Sequence, residues 1–122
     1  RPQGWTVRQV VHHVVDSHVN AYVRLRLALT EDRPDIRGYQ QELWAELPDA
    51  RTLPVEPSLE ILRGLHLRWT ALLDRLEPEQ LGRPLEHSEF GTLTVGQLTC
   101  LYGWHSRHHV AHITSLRARE GW

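Results

Sequence analysis

The last quarter of the chain repeats apolar and imidazole side chains at alternating steps of three and four residues. This spacing is typical of a helix face that packs in the core of a bundle. Unpartnered imidazoles are costly to bury, but neutral imidazole is a preferred ligand of zinc and similar metals. His105 and His109 lie one helical turn apart and can both reach one ion. The pattern therefore predicts a long helix with a metal site on its buried face. This face comprises Val95, Leu98, Tyr102, His105, His109, His112 and Leu116.

The composition excludes several functional classes. With 122 residues we expect one domain over residues 1–122. The net charge of −1 gives no field for nucleic acid or an anionic membrane, and no apolar run approaches the length of a membrane span. The single cysteine, Cys100, excludes an internal disulfide and suits a reducing cytoplasm. We therefore expect a cytoplasmic protein without a nucleic-acid or membrane partner, and we expect Cys100 to be a small buried hydrophobe.

Two capping boxes predict where the longest helices begin. In the first, Thr6 and Gln9 satisfy free amides, and apolar residues then recur at helical spacing to about Thr30. In the second, Thr94 begins a helix that runs to about Glu120, where Gly121 stands at the usual position of a helix-ending glycine.

The middle of the chain predicts a shorter helix, a long helix and a loop. The shorter helix is expected over Tyr39 to Leu47, before a break at Pro48. A stiff linker, residues 54–57, precedes Ser58, which we expect to cap a helix burying Leu59, Leu62, Leu65, Trp69, Leu72, Leu73 and Leu76. The segment Glu77 to Leu93 reads as loop with one helical turn, and we find no strand. Trp44, Trp69 and Trp104 are expected in the core.

Three long amphipathic helices predict an all-α bundle. The chain contains no Met and opens at a helix-entry turn, Arg-Pro-Gln-Gly. We therefore expect a four-helix bundle whose first helix precedes residue 1.

A third metal ligand is expected from the first helix, which offers His12, His13 and His18. A catalytic metal site usually has three protein ligands and an open position. Periodicity leaves the choice open. His18 lies on the apolar stripe, His13 lies beside it on a polar strip, and His12 is expected on the surface, where Asp16 can pair with it.

The residues around these histidines resemble a known family. Trp5-Thr-Val-Arg-Gln-Val-Val-His-His13, Asp16-Ser-His-Val-Asn20 and Trp104-His-Ser-Arg-His-His-Val-Ala-His-Ile113 are similar to the DinB/YfiT-like superfamily, and most of all to its YfiT branch. That branch contains metal-dependent hydrolases and bacillithiol S-transferases.

The resemblance implies an up-down-down-up four-helix bundle and the ligand set His13, His105 and His109. His108 and His112 form an alternative pair, against which the resemblance speaks. It also implies a divalent metal, a small thiol, an electrophilic substrate and a homodimer. Zinc is the default ion for imidazole ligands, and nickel or iron(II) also suit them. Asp16, Asn20, Tyr22 and Arg107 are candidate pocket residues.

Such a site supports more than one function. A coordinated thiol or water is deprotonated near neutral pH, which gives thiol transfer in one case and hydrolysis in the other. A structural metal in a non-enzymatic helical stress-response or binding protein is a third hypothesis. A fourth ligand such as His18 or His112 would favour the structural metal, whereas a centre that opens into a cleft would favour an enzyme.

Overall fold

A computed structural model describes residues 4–121, and helices form most of it. They are α1 (Val7–Thr30), α2 (Gln41–Ala45), α3 (Pro48–Thr52), α4 (Glu56–Leu73) and α5 (Val95–Glu120), with a short 3₁₀ helix at Pro78–Gly82. The long helix α1 packs against both α4 and α5. Within the described residues no helix is both long and apolar enough to cross a membrane.

Both predicted capping boxes are present. The Thr6 hydroxyl accepts a hydrogen bond from the Gln9 amide, and the Gln9 side chain accepts one from the Thr6 amide. Thr94 and Gln97 form the same arrangement before α5. Gly121 ends α5 with φ of 74°, a left-handed conformation that glycine adopts without strain. The predicted bounds of α1 and α5 are confirmed because local side chains fix these ends.

The predicted helix bounds in the middle of the chain are wrong. The expected helix over Tyr39 to Leu47 is shorter, and Pro48 begins α3 instead of ending a helix. Proline is tolerated there because the first helical residues need no amide partner within the helix. Ser58 is not a cap either, since α4 begins at Glu56 and has Pro57 in its first turn.

Three short strands, which we did not predict, form a small sheet. They are β1 (Asp35–Ile36), β2 (Pro84–His87) and β3 (Gly91–Thr94), with β1 parallel and β3 antiparallel to β2. Strands of two to four residues are too short to show the alternation that identifies a strand. Leu85 of β2 is fully buried and belongs to the core cluster, so the sheet packs against the helices through this residue.

The core lies along α1, α4 and the first half of α5. Of the three tryptophans predicted in the core, Trp69 is buried. The predictions for the other two are wrong, since Trp44 is 39% and Trp104 is 53% exposed. Cys100 is also exposed, so its predicted burial is wrong. Cys100 and Trp104 each follow a buried residue of α5 by two positions, which turns them towards the opposite face of the helix. The buried core cluster comprises Ala21, Tyr22, Leu25, Ala28, Ile36, Trp69, Leu85, Val95, Leu98 and Tyr102.

His12 is buried between α1 and the start of α4, so the surface position predicted for it is wrong. Its Nε2 lies 3.0 Å from the Leu53 carbonyl oxygen, and its Nδ1 lies 2.7 Å from the Ser58 hydroxyl. A carbonyl can only accept, so Nε2 carries the proton and Nδ1 accepts from Ser58. The pairing of His12 with Asp16 is absent from the described structure, because Ser58 and Leu53 occupy both ring nitrogens.

This contact predicts that Ser58→Ala destabilises the protein. The substitution leaves the buried Nδ1 of His12 without a donor, which should lower the free energy of unfolding by about 1–3 kcal/mol. Urea unfolding followed by circular dichroism measures this loss. Thr70→Ala is the control, because the Thr70 hydroxyl is exposed and bonds only within its own helix. Equal stabilities of the Ser58 and Thr70 variants would contradict the buried hydrogen bond.

Candidate metal centre

Three imidazoles from two helices converge at one point. His13 of α1 and the pair His105 and His109 of α5 each offer a ring nitrogen, and these ligand atoms all lie within 4.8 Å of one another. Nε2 of His105 lies 3.1 Å from Nε2 of His109. The ring of His13 is centred 5.5 Å from that of His105 and 4.9 Å from that of His109. The structure therefore brings together the three residues that the resemblance implied.

Each ring has a reason to lie where it does. One turn of α5 separates His105 from His109, so both project from the same side of the helix. The packing of α1 against α5 carries His13 to them. Trp5, just before the cap of α1, lies with its ring 4.8 Å from the His13 ring and covers it. The capping box at Thr6 therefore also fixes the entry angle of the residue that packs on the cluster.

The cluster favours neutral imidazoles. The pKa values of His13, His105 and His109 are each lowered to about 4. Burial is the main cause, and the charge that a neighbouring imidazole would carry adds to it. The Glu42 carboxylate acts in the opposite direction and raises the pKa of His13. At neutral pH the three rings are therefore unprotonated, which is the form that binds metal ions.

The geometry fits a divalent ion. Two nitrogens bound to one tetrahedral zinc lie about 3.3 Å apart, given Zn–N bonds near 2.05 Å. The observed 3.1 Å between the Nε2 atoms of His105 and His109 is close to this value. The Nδ1 atoms of the same two rings are buried and have no partner among residues 4–121. The two Nε2 atoms face each other, so they are the pair of atoms that one ion could bind together.

His18, which was also a candidate ligand, contacts other side chains instead. It is almost fully buried, and its Nδ1 lies 2.7 Å from Nε2 of His66 on α4. Its Nε2 lies 3.4 Å from the Ser106 hydroxyl. Burial and the nearby imidazoles, first of all His66, lower its pKa to about 3. His18 therefore links α1 to α4 and is outside the three-ligand cluster.

His112, the third histidine predicted on the buried face of α5, is exposed, so its predicted burial is wrong. The residues after His109 pass beyond the end of the core, which stops at Tyr102. Among the described residues neither His112 nor His18 belongs to the group that could hold an ion. A fourth protein ligand that closes the shell is thus absent from residues 4–121.

One ring of the cluster, that of His109, reaches a cleft of about 750 Å³. His109 and His112 line it, together with the start of α1, Glu42 of α2 and the last turns of α5. Its wall combines apolar side chains with one acidic and one basic residue. The lining residues are Gly4, Trp5, Val7, Val10, Glu42, His109, His112, Ile113, Ser115, Leu116 and Arg119.

Glu42 and Arg119 were not predicted. Glu42 lies in a helix of five residues, which is too short to carry a periodic signal. Arg119 lies in the last turn of α5, where a basic residue is ordinary because it interacts favourably with the helix dipole. Only the packing of α2 and the end of α5 around His109 reveals that both line one cleft.

The four predicted pocket residues do not line this cleft. Asp16 is half-buried, and its pKa is raised by burial and by the charge of Asp49. The Asn20 side chain donates to the carbonyl of Asp16 in its own helix. The Tyr22 hydroxyl accepts from Arg26, and Arg107 is exposed. Each of the four is absent from the cleft lining, so the prediction that they form the pocket is not supported.

Comparison with known proteins identifies the class. The family model of the DinB superfamily matches residues 1–113. The chain belongs to the DinB superfamily. It is similar over its whole length to proteins named "Putative metal-dependent hydrolase", with 56% identity in Bacillus mycoides and 57% in Bacillus thuringiensis, and it covers 70% of each of them.

A solved structure shows the same fold. It is YfiT from Bacillus subtilis, described as "a probable metal-dependent hydrolase with an unusual four-helix bundle topology". The TM-score is 0.97 at 50% identity, and the match covers 100% of this chain and 70% of that one. The predicted helical-bundle class is therefore confirmed, and so is the resemblance to the YfiT branch.

Proposed function

We propose that the chain is the core of a metal-dependent enzyme that transfers a small thiol of the bacillithiol type to an electrophile. The observation that carries this proposal is a cluster of three neutral imidazoles that has no fourth protein ligand among residues 4–121 and whose member His109 lines a cleft. His13, His105 and His109 would hold the ion. When bound, it would supply the Lewis acidity that deprotonates a thiol or a water near neutral pH.

The ligand set favours an anionic partner. No carboxylate belongs to the cluster within residues 4–121, so three neutral ligands leave the full charge of the ion in place. Arg119 adds a positive charge to the wall of the cleft. Trp5, Val10 and Leu116 supply apolar surface beside it. A small anionic thiol with an apolar electrophile suits this combination.

Glu42 is the proposed proton acceptor. It is the one carboxylate in the described cleft lining, and its charge acts directly on His13. In thiol transfer the S–H bond breaks, the Glu42 carboxylate takes the proton, and the sulfur forms a C–S bond as the leaving group departs with its electron pair. The thiol must come from solution, since Cys100 is exposed and lies outside the cleft.

Hydrolysis is the second candidate, favoured by the names of the relatives. The same residues would then act on a water, with Glu42 accepting its proton. The two reactions differ in a single requirement, because only the first consumes a thiol. A structural metal is the third reading, and the open cleft argues against it.

The function is tested by supplying both nucleophiles to the zinc-loaded protein. We expect bacillithiol, glutathione or mycothiol to react with a haloarene at a rate that falls to background after chelation and returns with zinc or nickel. Cys100→Ser should keep nearly the full rate per folded molecule. Ester turnover without thiol would select the hydrolase. The absence of turnover with every thiol and ester, combined with unfolding on chelation, would select the structural metal.

Glu42→Gln tests the proton acceptor. Removing a positioned general base typically costs about 10²–10⁴-fold in rate, and we expect a loss in kcat within this range while the metal content is unchanged. Glu60→Gln is the matched control, because Glu60 is an exposed carboxylate of α4 outside the cleft. Equal kcat values for the two variants would contradict the role of Glu42.

A further inference from the structure

A second pair of imidazoles lies on α5, one turn beyond the ligand pair. The rings of His108 and His112 are centred 4.2 Å apart, which is slightly closer than the 4.4 Å between the rings of His105 and His109. His108 is half-buried and His112 is exposed, so solvent reaches this pair directly. Neither side chain forms a hydrogen bond within the described residues, so both keep their ring nitrogens free for other ligands.

The His108 ring is held in place. It stacks on the Trp104 indole at 4.6 Å, with only 20° between the two planes. Trp104 is exposed and has no role in the core, so the stack leaves its other face to solvent. A ring with a fixed orientation loses less entropy when it binds an ion than a freely rotating one does.

We propose that His108 and His112 form a second divalent-metal site at the mouth of the cleft. Imidazoles one helical turn apart can bind one ion together, and nickel, copper and zinc are the divalent ions that imidazole prefers. Water would fill the remaining positions. Because the outer pair offers one ligand fewer than the inner cluster, its affinity should be lower by more than the loss of about 10- to 100-fold that is typical when an outer-shell partner is removed.

The outer site lies beside the inner cluster. His112 and His109 line the same cleft, and their rings are centred 5.7 Å apart. An ion entering the cleft beside His112 can therefore exchange ligands from the outer pair to His109 without crossing the protein. This delivery step rests on the proposed metal binding at His13, His105 and His109, whereas the outer site itself does not.

Titration with nickel, followed by calorimetry and elemental analysis, tests the site. We expect two ions per chain in the wild type, one tight and one weak. His108→Gln and His112→Gln should remove the weak ion alone, and His105→Ala should remove the tight ion while the weak one stays. Thr114→Ala, an exposed change on the same helix, should keep both. An unchanged weak ion in His108→Gln and His112→Gln would overturn the outer site.

A second readout and a rate separate the two parts of the proposal. Nickel bound at His108 lies beside the Trp104 indole, so the weak phase should quench a fluorescence component that Trp104→Phe removes. His112→Gln should slow the uptake of the first ion without changing its final amount. An unchanged uptake rate in that variant would overturn delivery and leave the site. A tight ion that still binds to the His105→Ala variant would overturn the proposed function instead.

Discussion

His105→Ala and His109→Ala should each remove the tightly bound metal and almost all turnover. The loss removes one of three ligands and leaves an incomplete shell, so affinity should fall by more than the about 10- to 100-fold that outer-shell changes cost. At limiting metal, turnover should fall in proportion to occupancy, because the bound ion would supply the Lewis acidity. Elemental analysis and the thiol assay on the same samples measure both effects.

His87→Ala is the control for these variants. His87 is also a buried histidine, but it lies at the end of β2, where its Nδ1 accepts hydrogen bonds from the amides of Glu89 and Phe90. Its loss should weaken that turn and leave the metal content unchanged. Full occupancy of the tight site in the His105 variant would show that the three histidines are not the ligands.

The metal-free protein should lose stability steeply as the pH falls from about 6.5 to about 4. The pKa values of His13, His105 and His109 are lowered to about 4 and that of His18 to about 3, mainly by burial. In the unfolded chain imidazole titrates near 6.5. Between that pH and the lower pKa of the folded state, the unfolded state therefore binds more protons than the folded state does. The contribution of these imidazoles to the free energy of unfolding is therefore fully present above about pH 7.

Each such imidazole contributes up to about 1.4 kcal/mol per pH unit within that range. The half-buried rings of His105 and His109 should contribute less, because solvent screens them. Asp16 acts in the opposite direction, since its raised pKa favours the folded state at the acid end of the range. Urea unfolding of the chelated protein at pH 7, 6 and 5 measures the slope. His109→Gln should reduce it, and a stability that stays constant or rises towards pH 5 would contradict the account.

The sequence predicts those parts of the fold that local chemistry determines. Thr6 and Thr94 begin their helices because each side chain satisfies amides three residues away, and Gly121 ends α5 because it adopts a positive φ. The sheet depends on pairing between Ile36 and His87, which lie far apart in the chain, and its strands are too short to show a pattern. The same applies to α2 and α3, whose bounds depend on how they pack against α1.

The sequence predicts a part of the site as well. The spacing of His105 and His109 identifies them as a pair, but periodicity does not choose among the three histidines of α1. The reason is that His12, His13 and His18 are all buried, since α1 packs against α4 on one side and α5 on another. Each then meets a different partner: Ser58, the cluster or His66. Only the family resemblance selected His13 in advance.

The most direct test of the central claim is a zinc titration followed by long-range ¹H–¹⁵N spectra of the histidine rings. With resonances assigned from single variants, the first equivalent should shift the rings of His13, His105 and His109 together. His12 and His18 should keep their shifts, and His108 and His112 should respond only to further zinc. A first equivalent that shifts His108 and His112 while His13 stays unchanged would contradict the account.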